Sequence, residues 1–136
     1  MSRRPKAIVL DSWAIIAYLE DEPAGQKIAD IMANAHDNNT PLLMSVVNAG
    51  EVWYLVARAA SDADADRAIA EIGQVGIELV DADWQLAREA AMFKSRCRMS
   101  FADCFAAALA KKRKAELVTG DPEFKQTESE IRIAWV

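Results

Sequence analysis

Ala7-Ile8-Val9-Leu10-Asp11-Ser12-Trp13 is the stretch from which the fold can be read. Four apolar residues with no polar alternation describe a short strand buried on both faces. The run stops at an acid, and Ser12 gives a helix-start signal directly behind it. The same unit recurs along the chain. Leu42 to Ser45, Ile77 to Val80, Glu116 to Thr119 and Ile131 to Trp135 read as further strands. Between them lie helical stripes, with Ile28, Ile31, Met32 and Ala35 on one and Ala65, Ala68, Ile69 and Ile72 on another. Ser61-Asp62, Asp83, Ser100 and Asp121-Pro122 supply further helix or turn starts. Alternating strands and helices with nearly continuous apolar strands predict an α/β fold, its mostly parallel sheet covered on both faces. Ligands of such sheets bind beyond the carboxyl ends of the strands, so the residues that follow each strand matter most.

The 136 residues suit one domain over 1–136, with neither repeat nor linker. A composition 52% hydrophobic and 27% charged excludes intrinsic disorder, and 5 Gly with 4 Pro exclude collagen-like or low-complexity chains. No window approaches a membrane span. The basic Met1-Ser-Arg-Arg-Pro-Lys6 precedes an apolar run that ends at Asp11, which is too short for a signal peptide. Cys97 and Cys104 form neither a disulfide framework nor a CxxC pair, so the expected location is the reducing cytoplasm. The net charge of −5 is unevenly spread. Arg88 to Lys114 holds eight Lys/Arg and two acids, whereas Asp62 to Asp83 holds seven acids and one Arg. A chain segregated in this way can hold a polyanion on one face despite its acidic total, although two solvated helix faces would give the same pattern.

Four acids stand where surface acids are not expected. Asp11 follows the first strand and can cap the next helix. Glu51 is the only charged group in Ser45-Val-Val-Asn-Ala-Gly-Glu-Val-Trp-Tyr-Leu-Val56 and shares a helical stripe with Val47 and Leu55. Asp103 is the only charge in Met99-Ser-Phe-Ala-Asp-Cys-Phe-Ala-Ala-Ala-Leu-Ala110, a stretch small and apolar enough to be a central buried helix. Ser100 and Asp103 also have the spacing of a capping box. Asp121, in Leu-Val-Thr-Gly-Asp-Pro, follows another strand. Asp11 and Asp121 fall at carboxyl ends of strands, and Glu51 and Asp103 are read into first turns of helices starting at that same edge. Independent caps have no reason to converge there. Two carboxylates about 4 Å apart repel by roughly 4 kcal/mol at an effective dielectric of 20, so their pKa values should rise unless a cation sits between them. An all-oxygen site selects a hard cation, Mg²⁺ or Mn²⁺, and His36 reads as a surface residue. Such a cage beside a basic segment suits phosphate-ester hydrolysis.

On Val9-Leu-Asp11-Ser12, Asn48-Ala-Gly-Glu51-Val, Ser100-Phe-Ala-Asp103-Cys-Phe and Thr119-Gly-Asp121-Pro-Glu-Phe124, the whole chain resembles the PIN-domain ribonucleases. Within them it is similar to the VapC-like toxins of type II toxin–antitoxin systems. The resemblance implies a three-layer α/β/α sandwich around about five strands. It also implies that Asp11, Glu51, Asp103 and Asp121 bind one or two Mg²⁺ or Mn²⁺ ions, with Ser12 and Thr119 in support. The implied reaction is endonucleolytic RNA cleavage by a metal-activated water, leaving 5′-phosphate and 3′-hydroxyl ends. A homodimer and a silencing antitoxin partner are implied as well.

Lys94, Arg96, Arg98 and the run Lys111-Lys112-Arg113-Lys114 are the candidate RNA phosphate contacts, although a helix C-terminus also favours that run. Trp53, Trp84, Phe101 and Phe105 read as core, while the resemblance makes Trp13, Tyr18 and Leu19 on the first helix candidates for the surface that meets an antitoxin. A haloacid-dehalogenase-like phosphohydrolase is the rival enzyme, but it needs a second Asp where Trp13 stands. A receiver-type signalling domain would want an acidic pair beside Asp11 and a lysine where Gly120-Asp121 stands. A PIN fold in a housekeeping RNA-processing role, or one that only binds RNA, is a third possibility. The intact acids argue against the binding-only version, and a neighbouring antitoxin gene would separate a toxin from a housekeeping nuclease.

Overall fold

The sheet is entirely parallel, and its strands are those the apolar runs predict. A computed structural model describes residues 4–20 and 23–136; Met1 to Arg3 of the basic N-terminal stretch lie outside them. The strands are β1 (Ile8–Leu10), β2 (Leu42–Ser45), β3 (Ile77–Val80), β4 (Glu116–Thr119) and β5 (Arg132–Trp135), in the order β3-β2-β1-β4-β5. The first and last are each one residue shorter at their start than the apolar runs suggest. The helices among the described residues are α1 (Ser12–Leu19), α2 (Pro23–Asp37), α3 (Val46–Ala59), α4 (Asp62–Gln74), α5 (Trp84–Arg96) and α6 (Phe101–Arg113). A 3₁₀ turn, Pro122–Thr127, follows β4.

Alternate residues of β1 divide the core. Ile8 and Leu10 pack with Ile15, Ile28, Met32, Val52 and Ile72 beneath α1 to α4. Val9 packs with Leu43, Phe93, Leu109 and Leu117 beneath α5 and α6. This period of two, buried on both sides, gives the three layers of an α/β/α sandwich. The stripes on α2 and α4 are buried at Ile28, Met32 and Ala35 and at Ala65, Ala68 and Ile72, while Ile31 and Ile69 pack at the margins. Cys104 to Ala110 of α6 are all buried, as the small apolar run required.

Two expectations need correction. Glu51 is in the second turn of α3, because Ser45 ends β2 and caps α3 with no loop between. Of the four aromatics read as core only Phe105 is buried; Trp53 is half-buried, Phe101 is 48% exposed and Trp84 is 73% exposed. Trp84 and Phe101 each open a helix.

The chain runs outward from β1 through β2 to β3, then crosses back to β4 on the other side of β1. The order therefore reverses between β1 and β4, and the crevice beyond their carboxyl ends is where an open parallel sheet binds ligands. Asp11 and Asp121 are the acids that follow these two strands.

Candidate active-site cleft

Asp11 is fully buried at this reversal. Its Oδ1 accepts the Ala14 N–H at 2.8 Å, capping α1, and its Oδ2 accepts the Thr119 hydroxyl at 2.6 Å. Thr119 is itself buried at the end of β4, and its Oγ1 accepts the Asp121 N–H at 3.1 Å. The helix cap and the candidate site acid are thus one residue, and the hydroxyl joins the acid of one strand to the turn after its neighbour. Burial pushes the Asp11 carboxyl up to about 7, against the pull of its two hydrogen bonds and with smaller pushes from Asp103 and Asp121.

Asp103 sits in the first turn of α6, where its backbone N–H donates to the Ser100 Oγ at 3.1 Å. Desolvation, then the charge of Asp121, pushes its carboxyl up to about 6; the Ser100 hydroxyl opposes this, and Glu51 and Glu123 add to it. Asp121 accepts the Glu123 N–H at 2.9 Å, folding Glu123 back beside it. Carboxylate oxygens of Asp103, Asp121 and Glu123 lie within 4.8 Å of one another. Glu51 faces the same space from α3, with its Oε2 at 3.5 Å from the Tyr54 hydroxyl. The cleft holds about 310 Å³ and is walled by Ser12, Trp13, Glu51, Ser100, Asp103 and Asp121 among others.

The four acids read from the sequence therefore converge on one region, but the tight group of three is Asp103, Asp121 and Glu123. Glu123 was not foreseen. Its signal was available, because an Asp before Pro with an acid two residues on makes a turn that apposes the two carboxylates. Ser12 is buried beneath the cleft, its hydroxyl donating to the Asn48 carbonyl at 3.3 Å.

The basic candidates divide. Lys94 donates to the Met99 carbonyl at 2.6 Å, and Arg98 is exposed in the loop before α6, its backbone paired with Gln126. Arg96 lies 3.4 Å from Glu130, Lys111 contacts Glu89 and Glu130, and Lys112 is 3.9 Å from Asp83. Lys111 and Lys112 are at the far end of α6, eight residues or about 12 Å along the axis from Asp103. The partner-surface candidates face three separate depressions. Trp13 lies on the acid cleft, Tyr18 on a groove with Met32 and His36, and Leu19 on a groove with Val56, Ala59 and Arg67. His36 is exposed, its Nε2 paired with the Val75 carbonyl at 2.9 Å.

The sequence matches the PIN domain family over residues 8–130, and the chain belongs to that family. Solved structures with a similar fold are VapC toxins and toxin–antitoxin complexes. VapC20 of Mycobacterium tuberculosis, described as a toxin that cleaves the sarcin-ricin loop, has a TM-score of 0.69 and 19% identity over 89% of this chain and 95% of its own. VapBC2 of Rickettsia felis, bound to a promoter DNA fragment, gives a TM-score of 0.72 and 13% identity over 96% of this chain and 98% of the other. VapBC-1 of nontypeable Haemophilus influenzae gives 0.72 and 18%, over 95% and 97%. No curated protein sequence matches. No helix among the described residues is long and apolar enough to cross a membrane.

Proposed function

We propose that this chain, acting as one domain over residues 1–136, is a divalent-metal-dependent endoribonuclease of the cytoplasm and the toxin of a toxin–antitoxin pair. The observation that carries this reading is the convergence of carboxylates at the reversal between β1 and β4, with Asp11 and Asp103 both held above the ordinary carboxylate range. The donor set is all oxygen, which fits a hard cation, Mg²⁺ or Mn²⁺, and a cation there would relieve the repulsion that raises both groups. Asp11, Glu51, Asp103 and Asp121 are the proposed ligands, with Glu123 beside them. When bound, such a cation lowers the pKa of water and neutralises charge on phosphorus oxygens.

The chain's own residues do the rest. Thr119 and the Ala14 N–H orient Asp11, and Ser100 fixes the first turn that carries Asp103. Burial raises the Asp11 carboxyl to about 7, so without a cation it takes up a proton far more readily than a surface aspartate. Water adds across a P–O bond of RNA, its oxygen going to phosphorus as the 3′ oxygen leaves, which gives 5′-phosphate and 3′-hydroxyl ends. Lys94 and Arg98, in the segment leading to the cleft, are the proposed first phosphate contacts. Arg96, Lys111 and Lys112 would have to leave their ion pairs to join them.

The antitoxin is the proposed protein partner, because several similar structures are toxin–antitoxin complexes. Trp13, Tyr18 and Leu19 are its proposed contacts, in the dimer that the resemblance implies. The decisive experiment is cleavage of labelled cellular RNA by wild type and Asp103→Asn, each in Mn²⁺ and in EDTA. Cutting by wild type with metal alone is the expected result. Equal cutting in all four samples would mark a contaminating ribonuclease.

A further inference from the structure

Asn48 is fully buried at the centre of the elements that carry the acids. Its amide Nδ2 donates to the Ala102 carbonyl at 3.0 Å and, at 3.4 Å, to the Ser12 hydroxyl. The Ser12 hydroxyl in turn donates to the Asn48 backbone carbonyl at 3.3 Å. Each partner adjoins a site acid: Ser12 follows Asp11, Ala102 precedes Asp103, and Asn48 is three residues, or nearly one turn, before Glu51. One amide thus ties α1, α3 and α6 at the points where each presents a carboxylate.

The arrangement leaves one polar atom of the amide unpaired by protein groups. The Asn48 Oδ1 is a buried side-chain oxygen with no partner among the described residues. Such an atom is normally paired, and an apolar residue of the same shape would avoid the penalty. Flipping the amide does not help, because the Ala102 carbonyl can only accept. Aspartate has the same shape but no donor for that carbonyl, and it would add a further negative charge to the cluster. Asn is therefore the residue of this size that bridges the three elements without adding charge.

We infer that Asn48 is a positioning residue for the carboxylate cleft: it sets the spacing of Asp11, Glu51 and Asp103, and so the affinity of the site for a divalent cation. The inference rests on the metal reading above. Groups that orient metal ligands typically change affinity by roughly 10–100-fold when removed.

The test is calorimetric titration of Mn²⁺ into the full-length wild-type chain, Asn48→Leu and Asn48→Ala, each well below its melting temperature. Ile28→Ala is the control, since Ile28 is fully buried among α1 to α4 and is not among the residues walling the cleft. Wild type and Ile28→Ala should bind alike, while both Asn48 variants should bind at least about tenfold more weakly. Unchanged affinity in a folded Asn48 variant, or an equal loss in Ile28→Ala, would overturn the inference. If wild type binds no Mn²⁺, the metal reading itself fails and takes the inference with it.

Discussion

The two ends of α6 carry opposite charges and treat them in opposite ways. At the carboxyl end Lys111 lies 3.3 Å from Glu89 and 3.2 Å from Glu130, and its ammonium is held above its usual pKa, chiefly by the hydrogen bond to Glu130. Lys112 approaches Asp83 there. At the amino end Asp103 faces Asp121, Glu51 and Glu123, all of its own sign. Both ends suit the helix dipole, so the dipole cannot explain the difference. One end is arranged for stability. The other concentrates negative charge at a sheet reversal and half-buries it, so that like charges repel there, and it is where the proposed cation would bind.

The largest expected effect breaks this comparison at Asp11. Its folded pKa of about 7 lies above the ordinary 3.8, so between those values the folded chain binds more protons than the unfolded one. Its contribution to stability is therefore unfavourable at pH 8 and vanishes as pH falls toward 4. In chelator, Asp11→Asn should be more stable than wild type at pH 8, by up to roughly 4 kcal/mol, and should lose that advantage by pH 4. Denaturant melts across pH measure it. An Asp11→Asn protein that is less stable at pH 8 would mean that the cap and the Thr119 bond outweigh the burial penalty.

Next in size is the response to metal. Mn²⁺ at a hundredfold excess over its Kd should stabilise wild type by about 2.7 kcal/mol. Asp103→Asn should gain much less, while its metal-free form melts no lower than wild type. Equal Mn²⁺ shifts in the two proteins would leave the amino end of α6 with a capping role only.

Much of this was legible in the residues. Apolar runs located β1, β2 and β4, which are buried on both faces, and shorter apolar stretches interrupted by Glu78 and flanked by Arg132 still marked the edge strands β3 and β5. Asp11 and Asp121 were legible because a strand end is visible in the sequence. The strand order was not, since only tertiary packing decides on which side of β1 the chain returns. Glu123 was passed over because it becomes a neighbour of Asp121 only through the turn that Asp121 itself closes. Asn48 stood in plain view beside Glu51. Its importance comes from Ala102 and Ser12, 54 and 36 residues away in sequence.

A smaller effect sharpens the description of the cleft wall. A Cβ on Gly120 would come within 2.2 to 2.6 Å of three carbons of the Trp13 ring, so the indole rests directly on the backbone before Asp121. Gly120→Ala should cost about 1–3 kcal/mol by forcing the ring outward. Combined with Trp13→Ala, which removes the obstacle, the same substitution should cost almost nothing more. A full additive loss in the double variant would mean that the added methyl is obstructed by something other than the Trp13 ring.

The smallest effect belongs to the carboxyl end of α6, and its size is the point. Lys111 makes two ion pairs and lies 5.7 Å from the centre of the Phe93 ring, yet it is partly exposed. Pairs of this kind contribute little in water, so Lys111→Ala should change stability by less than about 1 kcal/mol, with the loss shrinking in high salt. Its effect on RNA cleavage separates two uses of the same charge. A drop in kcat/KM that grows steeper at low salt would mean that Lys111 leaves Glu89 and Glu130 to meet phosphate. Unchanged cleavage would keep it as the paired end of a helix whose other end carries the proposed site.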